Sequence, residues 1–401
     1  MKKSINEIID ETKKGLTDDI KHNILFIDEQ ISKYRTADNA KEILTKLNKL
    51  ALEIMPEEKK QIMQDSFFIG KERIDRVFAK AQQIIYDTFN PVRQKDNNKE
   101  EKSKKFMKAL DLIEPIILKI EKYFSSTDDI SYFSFQNPFE DVLYRHLFLP
   151  NGERGFASEE NDETADGEKS DKNKKAGAKI RLTPFNFSEY YRTYGFLLIE
   201  FGKYDEATAA LEKGIKMNPV NPNPYFELAE VYKVQKDFEM FLFATKDILK
   251  VAYTVPTLAR AYCNLGFYAF EKEDFESSLC FYSQSAVMVD SPEIAKEIKF
   301  IREKGGMSVK PPTAERVDAA FKKYGLAFGA NPKVVSVAYT LAKNFTDKNQ
   351  LYYARLCLSI VAELTNDSEV KALLKEMDEQ VLKKSGLDES KLKEESLKKE
   401  S

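Results

Sequence analysis

Histidine and cysteine, the side chains that most often bind metals or act as nucleophiles, are rare and widely spaced in this chain. The 401 residues contain two histidines, His22 and His146, and three cysteines, Cys263, Cys280 and Cys357. No CxxC pair occurs and no histidine lies near a cysteine, so the spacing of zinc ligands is absent. The glycine-rich phosphate-binding motifs and the GxSxG nucleophile motif are also absent. The sequence therefore predicts no catalytic residues, no metal and no cofactor.

The charges of the chain are nearly balanced, with 63 basic and 66 acidic residues and a net charge of −3. Such a chain has no overall field that would attract nucleic acid or an anionic membrane. Two lysine-rich runs, 99–105 and 169–175, contain interleaved acids and no aromatic residues, which is typical of solvated segments. The sequence thus argues against nucleic acid as a partner.

The cysteine count and the start of the chain bear on the compartment. Three cysteines, an odd number, cannot form a disulfide framework, which favours a reducing environment. The first residues, MKKSINEIIDETKKG, have no apolar core behind their lysines and do not resemble a signal peptide. No stretch approaches about 18 uninterrupted apolar residues, so we expect no membrane-spanning segment. These observations predict a cytoplasmic protein.

Apolar residues recur at helical spacing through most of the first 150 residues. They step by three and four positions from Ile20 to Ile31, and the later runs are equally short, so they favour a bundle over a long coiled coil. We therefore predict an N-terminal helical bundle over 1–150, interrupted by a charged loop over 91–105. The ranges 151–183 and 385–401 have few large hydrophobic residues and are predicted to be a disordered linker and a disordered tail.

An aromatic segment, residues 132–149, ends the N-terminal region. Asn137 followed by Pro138, with Glu140 three residues after the asparagine, predicts the start of a short helix that runs to about Phe148. A linker of about thirty residues reaches roughly 30 Å, which would allow this segment to dock on the following domain in cis. The alternative is that it packs within the N-terminal bundle. The side chains concerned are Phe133, Phe135, Phe139 and Leu143.

A repeat with a period of 34 to 37 residues follows the linker. Small residues stand among regularly spaced tyrosines and leucines at Gly195, Ala229 and Gly266. Each would let the first helix of a pair approach the second closely, while the aromatic residues fill the space beside it. In the second unit an alanine and a proline come three residues late, at Ala244 and Pro256. This shift predicts a three-residue insertion near the turn between the two helices of that unit.

The repeat resembles the tetratricopeptide repeat (TPR) family, whose pattern is a bulky residue, two spacers, Leu-Gly, two spacers, Tyr, and later Ala and Pro. The match covers about 188–292. It implies an all-α fold in which three helix pairs over 184–310 form a TPR-type α-solenoid behind the N-terminal bundle. A degenerate fourth helix pair and a polar end cap are expected within 311–384, because stacked repeats need capped ends.

The resemblance also implies a concave groove, where members of the family usually hold peptides or helices. One residue further along a helix rotates by about 100°, so the positions next to the packed ones form the adjacent face. Family members that bind chaperone C-termini hold the terminal carboxylate in a clamp of basic residues and two asparagines. In this chain Phe196 and Glu227 stand where the asparagines belong, so we expect a hydrophobic ligand and not a terminal carboxylate. The candidate groove residues are Arg192, Phe196, Ile199, Phe226, Glu230, Lys233, Phe267 and Phe270.

These patterns together predict a non-enzymatic scaffold or adaptor that binds a partner protein or peptide segment in an aromatic-lined groove. Two alternatives from other classes are a helical-repeat RNA-binding protein and an enzyme with its site in the N-terminal bundle. The salt dependence of ligand affinity would distinguish RNA binding from peptide binding, because phosphate binding weakens steeply with salt and apolar binding barely responds.

Overall fold

A computed structural model of the protein describes residues 4–18, 20–34, 37, 39–89, 99–128, 130–149, 179–306 and 310–385. These residues form eighteen helices and four short strands, which confirms the all-α class. The helices are α1 (Ile5–Lys14), α2 (Ile20–Tyr34), α3 (Ala40–Ile54), α4 (Glu57–Phe67), α5 (Ile74–Phe89), α6 (Lys99–Tyr123), α7 (Pro138–Phe148), α8 (Phe187–Glu200), α9 (Tyr204–Met217), α10 (Pro222–Val234), α11 (Phe238–Val251), α12 (Val255–Glu271), α13 (Phe275–Met288), α14 (Pro292–Gly305), α15 (Ala314–Lys323), α16 (Pro332–Asp347), α17 (Leu351–Thr365) and α18 (Ser368–Ser385). The strands are β1 (Phe68–Ile69), β2 (Glu72–Arg73), β3 (Ile130–Phe133) and β4 (Lys179–Leu182).

The chain divides into two compact units, and the division does not follow the predicted domain boundaries. One unit contains the residues up to Ile74 together with 341–356 and the residues from Leu373 on, and the other contains 75–340 and 357–372. The predicted bundle over 1–150 is therefore split, because α6 and α7 belong to the same unit as the repeats. No described helix combines the length and the apolar character that crossing a membrane requires.

The first unit has a small core of its own, built by α1, α2 and α3. Ile8, Ile27, Ile43 and Leu47 are buried together there. The helix α1 starts at a capping box, in which the Ser4 hydroxyl accepts from a backbone N–H of the first turn and a glutamate side chain accepts from Ser4 in return. These features account for the helical periodicity of the first sixty residues.

The second unit contains the three predicted helix pairs, α8–α9, α10–α11 and α12–α13, and α14 packs on the last of them. A small residue marks each crossing, as predicted. A Cβ atom on Gly195 would lie 2.6 Å from Cγ of Leu211 in α9, and one on Gly266 would overlap the Tyr282 ring in α13. The two helices of a pair are therefore closer than any side chain at these positions would allow. We identify the stack as an α-solenoid of paired helices.

The small residues of the second and third pairs, Ala229 and Gly266, are 37 residues apart, whereas those of the first and second are 34 apart. The three extra residues lie at the start of α12. The turns inside the three pairs are equally long, and each has a left-handed residue at the same place, Gly202 (φ 71°), Lys236 (φ 60°) and Glu273 (φ 58°). α12 has 17 residues, whereas α8 has 14 and α10 has 13. The predicted insertion near the second turn is therefore wrong. Phe241 takes the expected alanine position and packs in one cluster with Ala229.

The predicted charged loop over 91–105 is helical from Lys99 onward, while 90–98 lie outside the described residues. The interleaved charges that suggested a solvated loop are spaced four apart on one helix face. Lys104 pairs with Glu100 at 2.6 Å and Lys105 with Glu101 at 3.1 Å. Such pairs stabilise an exposed helical turn by a few tenths of a kcal/mol each, roughly 0.2–0.5.

The aromatic segment docks on the repeats rather than within a separate bundle. Asn137 caps α7 as predicted, and the backbone N–H of Ser134 donates to the carbonyl of Met217 at 2.7 Å. β3 pairs in parallel with β4, so residues 179–182 are a strand and not part of a linker, and 151–178 lie outside the described residues. The four side chains that were expected to dock are all buried: Phe133, Phe135, Phe139 and Leu143.

A buried carboxylate joins α7 to two turns between repeats. Glu140 is 2% exposed and accepts from the Nδ2 amide of Asn218 at 2.8 Å, from the hydroxyl of Tyr253 at 2.8 Å and from the backbone N–H of Gln136 at 2.7 Å. Asn218 follows α9 and Tyr253 follows α11, while the Tyr253 ring also packs edge-on against Phe139. The segment therefore closes one edge of the stack, and none of its described contacts involves the predicted groove residues.

We expect Gly266→Ala to lower the free energy of unfolding by about 1–3 kcal/mol, because the added methyl group overlaps the Tyr282 ring. Urea unfolding of the full chain measures the change. Tyr282→Leu removes the ring, so in that background the same glycine substitution should cost clearly less. An equal cost in both backgrounds would show that the Tyr282 ring does not limit the helix crossing.

We expect the stability contributed by Glu140 to depend on pH. Burial is the strongest influence on this carboxyl and raises its pKa above the ordinary value of 4.5, against three hydrogen bonds that lower it. The contribution is therefore complete below the unfolded pKa and is lost as pH rises through the folded pKa. Glu140→Gln should remove this decline, so the variant gains on the wild type as pH rises above 4.5.

Urea unfolding at a series of pH values measures this difference. Asp141→Asn is the matched control, because Asp141 is on the same helix but only half-buried and paired with Arg145 at 2.9 Å. A constant difference between wild type and Glu140→Gln across the series would contradict the account.

Candidate functional site

The first helices of the pairs lie side by side and share one face. Arg192 of α8 pairs with Glu227 of α10 at 3.1 Å, and the Arg260 guanidinium of α12 lies 4.0 Å from the centre of the Phe226 ring of α10. Phe270 of α12 in turn contacts Phe300 of α14, with ring centres 5.4 Å apart. We call this face, formed by α8, α10, α12 and α14, the groove, because the repeat pattern predicts a groove on the first helices of the pairs.

Helix caps position the helices of this face. The Asn221 side chain caps α10, and Pro222 occupies its first turn. Thr254 caps α12 through its hydroxyl, and Ser291 does the same for α14 ahead of Pro292. Each cap fixes the register at which a helix begins, and thereby which of its residues face the groove.

The part of the groove nearest α8 is occupied by charges that satisfy one another. Arg192 bonds to both Glu189 and Glu227, and Glu227 is largely buried between Arg192 and Arg260. Burial raises the pKa of Glu227, and the positive charges of the two arginines oppose that rise. This network leaves no free basic pair of the kind that a carboxylate clamp uses.

Phe196 is covered by helices that precede the repeats. Its ring lies 6.0 Å from that of Phe89 in α5 and 5.8 Å from that of Phe106 in α6. The predicted groove position is therefore filled by aromatic packing and is not open. Lys102 of α6 adds to this cover, since it pairs with Glu200 at 3.1 Å.

The open part of the groove is a cleft of about 360 Å³ between α12 and α14, with one edge formed by α10. The buried side chains of Phe241, Tyr282 and Ile301 line its bottom. Three further aromatic side chains line its sides: Phe267, Phe270 and Phe300. Phe300 is 43% exposed, so an apolar surface faces the solvent here. We call this site the α12–α14 cleft.

The predicted groove residues separate into two groups. Lys233, Phe267 and Phe270 line the α12–α14 cleft, and Glu230 stands beside it in an ion pair with Lys233 at 3.4 Å. The others lie outside the cleft. Phe226 is buried beneath Arg260, Ile199 is half-buried on α8, and Arg192 and Phe196 are engaged as described above.

Phe300 and Glu297 of α14 complete the cleft and were not among the predicted residues. The family pattern ended at Pro292, so α14 was not used to choose groove positions. Phe300 nevertheless lies 33 residues after Phe267, close to the repeat period. Extending the period by one more helix would have found it.

The site offers no arrangement for metal binding. Among the described residues, no three histidine, cysteine or acidic side chains come together as possible ligands. Cys263 lines the cleft, and its thiol lies 3.1 Å from the hydroxyl of Ser285. Burial raises the pKa of the Cys263 thiol, so the thiolate needed for nucleophilic chemistry is disfavoured. The three cysteines are free thiols.

Comparison with models of protein families and with curated proteins finds no match. Among solved structures, the chain is similar to YrrB, described as a TPR protein with an unusual peptide-binding site, at 14% identity over 48% of this chain and 93% of that one, with a TM-score of 0.27. It is also similar to TTC0263, a TPR protein of Thermus thermophilus, at 16% identity over 47% and 98%, with a TM-score of 0.25. A third similar structure is part of a TPR repeat-containing protein of Cytophaga hutchinsonii, at 12% identity over 75% and 97%, with a TM-score of 0.30.

The chain itself has the 34- to 37-residue spacing and the close helix crossings at Gly195 and Gly266. In these features its helix pairs resemble tetratricopeptide repeats. Stacks of paired helices of this kind expose extended concave surfaces.

Proposed function

We propose that the protein is a non-enzymatic scaffold whose α12–α14 cleft binds a partner peptide segment through a large apolar side chain. The observation that carries the proposal is the exposed aromatic lining of the cleft. Concave sites lined by aromatic side chains together with a few polar groups are the usual form of a binding site. The volume of about 360 Å³ lies at the lower end of the usual range for ligand sites, roughly 300–1,000 Å³, which suits one or two side chains of a peptide.

The cleft also has a means of holding a peptide backbone. Asn264 lines it alongside Phe267, and its amide already donates to the hydroxyl of Thr245 at 3.3 Å, which leaves the amide oxygen to accept from a peptide N–H. A few placed polar groups within an apolar lining are typical of binding sites that fix the orientation of their ligand.

RNA binding has less support from this geometry. A phosphate backbone needs unpaired basic side chains along its path. Arg192 and Lys233, the basic residues predicted for the groove, are both paired with glutamates. The aromatic rings alone would stack bases, but the groove lacks the basic path that would accompany them.

Selection of peptides from a displayed random library by the full chain tests the proposal. Phe300→Ala should weaken binding of the selected peptides by roughly tenfold or more, because an exposed aromatic wall of the cleft is lost. Isothermal titration calorimetry measures the affinities.

Phe243→Ala is the matched control, because Phe243 is 57% exposed on α11 and does not line the cleft. Thermal unfolding verifies that both variants are folded. Failure to select any peptide, or equal loss of affinity in both variants, would contradict binding at the α12–α14 cleft.

A further inference from the structure

The charged side chains of the α12–α14 cleft are predominantly acidic. Glu271 from α12 and Glu297 from α14 both line it and are exposed to solvent. Neither forms an ion pair within the described part of the chain, whereas other exposed glutamates of these repeats, such as Glu239 and Glu303, do. The cleft therefore presents two carboxylates that have no positive partner beside an apolar surface.

Lys233, the one cation that lines the cleft, is already engaged. Its ammonium lies 3.4 Å from a carboxylate oxygen of Glu230 and 4.8 Å from the centre of the Phe267 ring. The pair with Glu230 cancels its charge, and the ring holds it against one wall. Lys304 lies 5.6 Å from the Phe300 ring but is not part of the lining. The lining of the cleft thus contains two carboxylates without an ion-pair partner and one lysine that has one.

The charge of Glu297 also reaches the bottom of the cleft. Burial is the main cause of the raised pKa values of the Cys263 thiol and the Tyr282 hydroxyl, and the negative charge of Glu297 adds to both. At Cys263 the hydrogen bond to Ser285 and the positive charge of Arg260 oppose the rise. Glu297 therefore acts on the interior of the cleft and is not merely a solvated charge at its edge. A cation placed at the cleft would meet that charge at short range.

We propose, on the basis of the function proposed above, that the cleft selects a peptide segment in which a large apolar residue is flanked by lysine or arginine. The apolar side chain packs against the aromatic lining formed by Phe267, Phe270 and Phe300, and the flanking cations face Glu271 and Glu297. An acidic segment or a chain-terminal carboxylate is disfavoured, because it would bring negative charge close to these two carboxylates. Complementary charge at the rim of an interface mainly determines which partners bind and how fast they associate. Glu271 and Glu297 would therefore contribute to specificity more than to affinity.

Short glycine–serine peptides that carry one central phenylalanine test the proposal with the full chain. The three peptides differ only in the two residues beside the phenylalanine, which are lysine, glutamine or glutamate. The lysine peptide should bind tightest and the glutamate peptide weakest, with roughly a tenfold span between them at low salt. The span should shrink as salt is added, because exposed charges are screened.

Charge reversal locates the effect. Glu297→Lys should remove most of the difference among the three peptides, because the new lysine offsets the remaining carboxylate of Glu271. Glu303→Lys should leave the order unchanged, because Glu303 lies on the same helix outside the cleft lining and pairs with Lys299 at 3.8 Å. Both variants add the same charge to α14, so they differ only in position. Thermal unfolding confirms that each variant is folded.

Each outcome separates the two proposals. If no peptide binds, the cleft is not an apolar binding site and the proposed function fails with it. If all three peptides bind equally, the apolar cleft stands and the charge selection is overturned. If Glu303→Lys removes the preference as fully as Glu297→Lys does, the preference is a general effect of charge and is not set by the cleft.

Discussion

The close crossing of two helices at a small residue is the constraint on which the repeat domain depends. At Gly195 and Gly266 the second helix of the pair occupies the space where a side chain would stand, and Ala229 has the same role in the middle pair. This approach sets the distance between the two helices of a pair. The first helices then lie side by side, so that Phe270 meets Phe300 and Lys233 meets Phe267. The first helices of the pairs thus pack on the second helices at the small residues and carry the groove residues at other positions.

Helices of the second unit that precede the repeats cover the first end and one edge of the stack. A helix pair cannot bury its apolar surface alone, so each end needs a cover. At the first pair, α5 and α6 provide it through Phe89 and Phe106, and α7 closes one edge through Glu140. The buried carboxylate has its burial cost offset by three donors, two of them supplied by side chains of the repeats. The repeats therefore share one compact unit with residues 75–89 of α5 and with α6 and α7.

The repeat domain could be predicted from the sequence because its spacing is local. Helix pairs, caps and crossings all follow from residues within one period, which is why α7 and α14 start as their capping residues indicate. The errors concern contacts between distant segments. Nothing near Phe196 shows that Phe89 and Phe106 cover it, and the partner strand of β3 lies beyond a long polar segment. Lysines and glutamates at 99–105 have the composition of a loop, yet their spacing allows helical ion pairs.

The central claim is that a partner segment binds in the α12–α14 cleft. Hydrogen exchange of the full chain, followed by mass spectrometry with and without the lysine-flanked phenylalanine peptide, tests this most directly. The account predicts slower exchange in α12 and α14, around Phe267 and Phe300, with α8 and α9 unchanged. Protection centred on α8, or protection spread evenly over the repeats, would contradict it.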